Sequence, residues 1–555
     1  MTHPLRPTAI AALSALVAFP AFAAPAKPNP RAAQWWAHIA AIADDKNEGR
    51  QTGSAGYLRA ADYVVSQFKA EGLKPAGEKG GFLQSVAFEE QVVNHPSSSA
   101  SLIDGTGTVH ALPVGADFLI AAGGGRRPAV VDAPLVFIGY GLHLPNQGYD
   151  DFAGVDLKGK IAVVISGGPS NISAPIKASN RSDRAKFLQE AGAVGLITLV
   201  TPKQVEIPWD RRTQLAGQAG MYLADGSLRD VADGFFSASF DPAKSETLFA
   251  GSPKTFAELS DLADASSEVP RFAMPLRLTA NVVASHRSLT SPNLAAVMPG
   301  SDPKFAKEYV VVSAHLDHLG IGAPIKGKTL YNGAMDDASG VASVLDIAHR
   351  LKAGKRPKRS VLFLIVTAEE KGLLGSQYYA TRPTVPKASI VADLNFDMPL
   401  PLWSLKTVLV QGEGESTLGD VARKVAASQG LALTPDPLPD RNSFTRTDQF
   451  SFVRAGVPAL AFKFGFAKGT PEFQIEHDWR ANRYHAPSDD LDQPGVLKDE
   501  AVKLDDYVAG IVASVANSPD RPTWLDTSVF KPKAKSRRLE HFPISVKRLS
   551  DQKVL

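Results

Sequence analysis

The run YVVVSAHLDHLG (309–320) decides how this chain is read. Its first six residues are an apolar, strand-like stretch that breaks at His315 into a loop carrying Asp317. YNGAMDDASG (331–340) follows, and then a helical pattern from about 338 to 351 with Val341, Val344, Leu345, Ala348 and Leu351 on one face. A second apolar run, VLFLIVTA (361–368), ends in Glu369 and Glu370. Two strand-like runs therefore each deliver an imidazole or a carboxylate at their carboxyl ends, with more acidic residues between them. In an open α/β sheet that edge is where ligands gather.

Outward from this stretch, strand and helix signals alternate. Further strands are expected at 389–396, 406–411 and 458–463, and a last helix over 499–516 with Val502, Leu504, Val508, Ile511, Val512 and Val515 inward. The pattern predicts an α/β fold, a mixed, mostly parallel sheet flanked by helices. Upstream, a helix is expected over 31–43 around Trp35, Trp36, Ile39 and Ile42. GRQTGSAG (49–56) reads as a turn-rich loop. It leads into a second helix whose stripe is Tyr57, Leu58, Ala61, Val64, Val65 and Phe68, closed by Gly72. From Pro134 the texture changes. LVFIGYG (135–141), IAVVISGG (161–168), a helix over 181–191 and VGLITLV (194–200) read as a smaller α/β unit without His/Asp/Glu clusters. The expected layout is an N-terminal part of the main domain at 31–130, an inserted domain at 131–275, the main domain at 276–518 resuming with LTANVVAS, and a tail at 519–555.

A chain of 555 residues exceeds one ordinary core, so two or more domains are expected. The formal charge of +3 gives no reason to expect nucleic acid as a partner. The sequence has no cysteine, which excludes disulfides, thiolate metal sites and cysteine nucleophiles, and leaves His, Asp and Glu to hold any metal. At the N-terminus, Arg6, the apolar run 9–19 and Ala21-Phe22-Ala23 have the layout of a cleavable targeting segment, 1–24. The run is shorter than the ~20 apolar residues that span a bilayer. An exported protein, periplasmic or secreted and without a membrane anchor, is expected; no sequence signature sets its oligomeric state.

Taken singly, His315, Asp336 with Asp337, Glu369 with Glu370, Asp397 and His485 have ordinary explanations. Acidic residues cap helices, and histidines at strand ends and in loops are mostly inert. Together they are five element ends, each presenting a metal-competent side chain, four of them beside apolar strand-like runs. Two zinc ions bridged by a carboxylate need a bridging Asp and one His plus one carboxylate for each ion. His315, Asp336, Glu370, Asp397 and His485 supply that count. Asp317 is suited to orient His315, and Glu369 to act as general base. The set reads as a two-zinc hydrolase site.

HLDHLG, YNGAMDDASGVA, TAEEKGLLGS, NFDM and YHAPSDD, in this order, resemble the co-catalytic di-zinc aminopeptidase family that also contains the glutamate carboxypeptidases. LVFIGYG…YDDFAGVDLKGKIAVVI resembles the protease-associated domain inserted in many members. The likeness runs from about residue 31 to 516. It implies two zinc ions per chain, with His315 and Asp397 on one, Glu370 and His485 on the other, and Asp336 bridging. It also implies Glu369 as the base, Asp317 as the support of His315, and peptides as substrates, attacked by a metal-bridging water. Aminopeptidase action is the leading expectation; carboxypeptidase or dipeptidase action is the nearest alternative. A receptor-like binding protein on the same scaffold is disfavoured, because none of the key positions is substituted. Gln449 stands where members often carry a histidine after the aspartate at 448.

Overall fold

A computed structural model describes residues 29–532 except 442. The expected targeting segment and the tail beyond 532 lie outside the described residues. Among these, no helix is long and apolar enough to cross a membrane.

A ten-stranded sheet forms the centre of the main body. Its order is Gly220–Leu223, Leu83–Val93, Ala284–Met298, Ser360–Val366, Tyr309–His315, Ile390–Phe396, Ala459–Phe464, Thr407–Gln411, Ala432–Thr434, with Lys74–Pro75 alongside Ala284–Met298. The four strands from Ser360–Val366 to Ala459–Phe464 are mutually parallel. Five of the nine pairings are antiparallel, so the expected "mostly parallel" sheet is corrected to a parallel centre with antiparallel flanks. Burial explains why the centre was the legible part. Ser360–Val366 and Ile390–Phe396 are buried at every position, as strands of a sheet covered on both faces are; the polar Asp393 and Asn395 of the second accept the hydroxyl of Ser313. Leu83–Val93 instead alternates exposed and buried residues over its first half and pairs at the flank.

Helices Pro30–Ile42, Ser339–Ala353 and Lys498–Asn517 pack together on one face of this sheet. Trp35, 0% exposed, donates its indole N–H to Ser343 at 3.1 Å. A buried indole removes on the order of 200 Å² from water, about 5 kcal/mol of transfer free energy as an upper figure. The second helix runs Ala55–Ala70 and buries Tyr57, Ala61, Val64 and Phe68. Leu58, expected in that stripe, is 45% exposed; the buried face is completed by Ala60. Leu374–Thr381 and Gln449–Arg454 cover the opposite face. They are short, and the sequence reading did not find them.

The second sheet has eight strands in the order Val109–Leu112, Ser99–Ile103, Arg271–Asn281, Val130–Ile138, Ile161–Ile165, Gly195–Leu199, Phe236–Phe240, Phe118–Ile120. It recruits strands from 99–120 that were expected in the main domain. It also holds Arg271–Asn281, so the first part of LTANVVAS belongs here rather than to the resumed main domain. Conversely, Gly220–Leu223 leaves this segment to pair with Leu83–Val93 of the main sheet. The two bodies are laced together at strand level. A side-chain clasp adds to this: Arg211 donates to the backbone carbonyls of Arg480, Ala481 and Tyr484.

Candidate metal centre and active site

Strand register explains why residues far apart in sequence meet. His315 is the last residue of its strand and pairs with Val366, three residues before Glu369. Phe396, directly before Asp397, pairs with Phe462. All these side chains emerge at the carboxyl edge of the parallel centre. Asp336 comes from the loop before helix Ser339–Ala353, and the Asp336-Asp337 peptide is cis. His485 sits in the loop after helix Pro471–Asn482.

The structure brings the five expected ligands together around Asp336. One carboxylate oxygen, Oδ1, lies 3.3 Å from His315 Nε2, and the other, Oδ2, lies 3.4 Å from His485 Nε2. His485 Nε2 is also 3.2 Å from Glu370 Oε2. Ligand atoms of His315, Asp336 and Asp397 fall within 4.8 Å of one another. A second group, His318, Asp336 and Glu370, does the same. Asp336 belongs to both groups, with its two oxygens facing different histidines.

His318, for which the five-ligand count leaves no role, also stands at the centre. Its Nδ1 lies 2.7 Å from Glu370 Oε1, and the ring is wholly buried. The signal that could have found it was its place three residues after His315 on the same loop.

The donor set fits zinc on a direct observation. His315 Nε2 and Asp397 Oδ1 are buried polar atoms with no hydrogen bond, which an interior does not tolerate unless something else satisfies them. Imidazole nitrogen and carboxylate oxygen are zinc's ordinary ligands where cysteine is lacking.

Asp317 acts differently from expectation. The Nδ1 of His315 is 3.1 Å from the backbone carbonyl of Asp317, whereas the Asp317 carboxylate is 4.0 Å away. Donation to that carbonyl leaves Nε2 with its lone pair directed at the centre. The carboxylate instead accepts the amides of Glu369 at 3.1 Å and Glu370 at 3.3 Å, and the hydroxyl of Thr52 at 3.1 Å. It orients the two glutamates rather than the histidine.

Two further positioning residues escaped the sequence reading. Arg50 is fully buried and donates to the carbonyls of Leu316, Ile42, Gly333 and Asn332, tying the His315 loop to the Asp336 loop. Asp489 accepts the amides of Met335 at 2.9 Å and Asp336 at 3.0 Å, joining the His485 segment to the Asp336 loop. Gly333, at φ +61°, passes so close that a Cβ there would come within 2.5 Å of the His318 ring. Gln449 accepts from Asn395 and Thr447 and donates to Phe444, anchoring the segment beside Asp448.

The electrostatics are those of charges taken out of water. Burial pushes Glu369 well above the usual carboxylate range, and the charges of Asp397 and Glu370 push the same way. Burial also opposes ionisation of Asp336, but its contacts with His315 and His485 win and hold it well below that range. Glu369 Oε2 lies 4.0 Å from His315 Nε2 and opens onto the cavity lined by Asp336, Asp397, His485 and Tyr484. The ring of Tyr484 stacks on His485 with centroids 3.9 Å apart.

Residues 293–509 match the model of Peptidase family M28. The chain is 32% identical over 171 residues to leupeptin-inactivating enzyme 1 of Streptomyces exfoliatus, covering 30% of this chain and 35% of that protein. It is 26% identical over 384 residues to a probable leucine aminopeptidase 2 of Aspergillus fumigatus, covering 66% of this chain and 71% of that one. The chain thus spans about a third of the first relative's length. The fold is similar to that of a solved aminopeptidase from Aneurinibacillus sp. strain AM-1, with a TM-score of 0.52 at 20% identity, covering 91% of this chain and 96% of that one. Residues 293–509, the stretch that matches the model of Peptidase family M28, carry every expected ligand and the candidate base.

Proposed function

We propose that this chain is an exported exopeptidase working with two zinc ions, and that it removes N-terminal residues from peptides. The observation that carries the reading is Asp336, shared between two groups of metal-competent side chains, with Glu369 beside them. His315 and Asp397 would hold one ion, Glu370 and His485 the other, with Asp336 bridging and His318 close enough to join the Glu370 side. Bound zinc supplies a Lewis acid that polarises a carbonyl and acidifies water. Glu369 takes the proton of the attacking water and returns it to the leaving amine. Asp317 fixes the backbone of that glutamate. Aminopeptidase action is supported by the names of the relatives; the leader-like N-terminus supports export.

The segment containing the second sheet is read as a protease-associated domain. It is a wall beside the cleft that restricts substrates to short peptides, held by the Arg211 clasp. A carboxypeptidase reading has one observation in its favour: Arg441, Arg446, Lys463 and Arg480 line the cavity at the centre, and cations suit a free α-carboxylate. Zinc analysis together with the products from a defined peptide mixture tests these readings. Two zinc ions per chain and loss of N-terminal residues are expected. Trimming from the other end replaces the aminopeptidase reading with the carboxypeptidase one, and a metal-free, inert protein ends both.

A further inference from the structure

Beside the metal centre, the two bodies line an open groove of about 770 Å³. One wall carries Ser166, Gly167, Gly168 and Val200, which directly follow the strands Ile161–Ile165 and Gly195–Leu199 at the carboxyl edge of the second sheet. The other wall carries Arg441, Arg446 and Arg480, and these three also line the cavity that contains Asp336, Glu369 and His485. These three arginines therefore border both the groove and the candidate active site.

Its charge is far from that of the whole chain. Among the described residues, and leaving aside Arg181, six lysines and arginines line it with two carboxylates, Glu206 and Asp264, whereas the chain of 555 residues carries only +3. Those carboxylates are already engaged. Glu206 lies 3.6 Å from Arg441 and 3.3 Å from Arg446, and Asp264 lies 3.3 Å from Lys203. Glu476, behind the wall, is shared by Arg441 at 2.8 Å and Arg480 at 2.6 Å. Two glutamates thus serve three arginines. Arg212 rests on the ring of Trp209 and on the hydroxyl of Ser239 at 3.2 Å, with no carboxylate partner among the described residues. Lys468 is exposed and unpaired among them. Cations held by low-dielectric walls, short of counter-charge and bordering a catalytic centre, concentrate and orient anionic ligands.

We propose that this groove binds carboxylate groups of the substrate at a distance from the scissile bond, so that the enzyme favours short peptides that place a carboxylate there. The proposal rests on the exopeptidase reading for its substrate, but its binding test does not need turnover. The carboxylate comes either from Glu and Asp side chains or from the peptide's free C-terminus.

The test uses zinc-loaded Glu369→Gln protein and calorimetric titration with three peptides: Ala-Ala-Gln-Gln amide, Ala-Ala-Glu-Glu amide, and Ala-Ala-Gln-Gln with a free carboxylate. The Glu peptide is expected to bind roughly tenfold tighter than its Gln counterpart at low salt, with the advantage shrinking as salt rises. A tenfold advantage confined to the free-acid peptide assigns the groove to the chain terminus. Lys468→Gln combined with Arg446→Gln, both on exposed side chains, is expected to bring the ratio to about twofold or less. Equal affinity for all three peptides overturns the proposal, as does a preference that the double variant leaves intact. Selective binding of the acidic peptide with no cleavage of any peptide by the wild-type protein overturns the exopeptidase reading alone.

Discussion

The two sheets have the same parallel centre and opposite chemistry. In the main sheet four parallel strands run side by side, and in the second sheet Val130–Ile138, Ile161–Ile165, Gly195–Leu199 and Phe236–Phe240 do the same. At the carboxyl edge of the first stand His315, Glu369 and Asp397. At that edge of the second stand Gly139-Tyr140-Gly141, Ser166-Gly167-Gly168 and Thr201. Both edges make a crevice, as parallel sheets do. Only the first fills it with a cluster of metal-competent side chains, while the strand ends of the second carry glycine and hydroxyl groups and its crevice is faced by arginines of both bodies. Architecture supplies the crevice, and three or four residues at the strand ends decide what it does.

The sharpest way to break that contrast is to remove chemistry from the main edge without touching its architecture. Glu369→Gln keeps the side-chain shape and removes the base. A fall in kcat of roughly 10²–10⁴ is expected, with zinc content unchanged. Near-full turnover by this variant would falsify Glu369 as the base.

The next largest effect concerns which histidine completes the Glu370 side of the centre. His485 Nε2 is 3.2 Å from one oxygen of Glu370, and His318 Nδ1 is 2.7 Å from the other. His485→Ala is expected to lose one of two zinc ions. His318→Ala is expected to weaken zinc retention against a chelator by roughly 10–100-fold if it only steadies Glu370, and to lose the ion outright if it is a ligand. Unchanged zinc content and retention in both variants removes the pair from the site.

The centre of the fold was legible because its physics is local. A wholly apolar run such as 361–366 and a largely apolar one such as 390–396 announce buried parallel strands, and the metal-competent side chains just past their ends announce the site. The antiparallel flanks were not legible. Leu83–Val93 and Ala284–Met298 are set by pairing with each other across nearly 200 residues, and Gly220–Leu223 changes sheets altogether. The cluster of metal-competent side chains could be read from residue type and position, but its supports could not. Arg50 lies in a stretch that reads as an ordinary turn-rich loop, and its work is done by a guanidinium reaching carbonyls of residues 316, 332 and 333. Asp489 is one acid among several in a polar segment. Only the folded chain shows that it accepts the amide of Asp336. The role of Asp317 was misread for a related reason: the side chain and the carbonyl of one residue serve different partners.

Arg50 gives the third test, on what keeps the main edge in shape. Arg50→Met preserves much of the volume but leaves the carbonyls of Leu316, Asn332, Gly333 and Ile42 without their buried donors. Losing a buried, hydrogen-bonded charge of this kind costs about 3–5 kcal/mol. A lower urea midpoint and reduced zinc retention are expected together. A variant as stable as the wild type shows that the loops hold their positions without the guanidinium.

The smallest effect belongs to the second sheet, where a buried acid has no metal to answer to. Asp151 accepts the amide of Leu142 at 2.9 Å, and burial pushes its carboxyl up to about 6 from an ordinary 3.8. A carboxyl with a raised value holds its proton more tightly in the folded chain than in the unfolded one. Its contribution to stability is therefore fully present below about pH 4 and is lost as pH rises through about 6. Two units correspond to roughly 3 kcal/mol across that window. Asp151→Asn retains a carbonyl oxygen for Leu142 and has no charge to bury. Urea unfolding at pH 4.5 and pH 7 should show the variant gaining on the wild type as pH rises, by up to about 3 kcal/mol. If the two proteins keep parallel profiles, Asp151 is solvated or paired in the folded state.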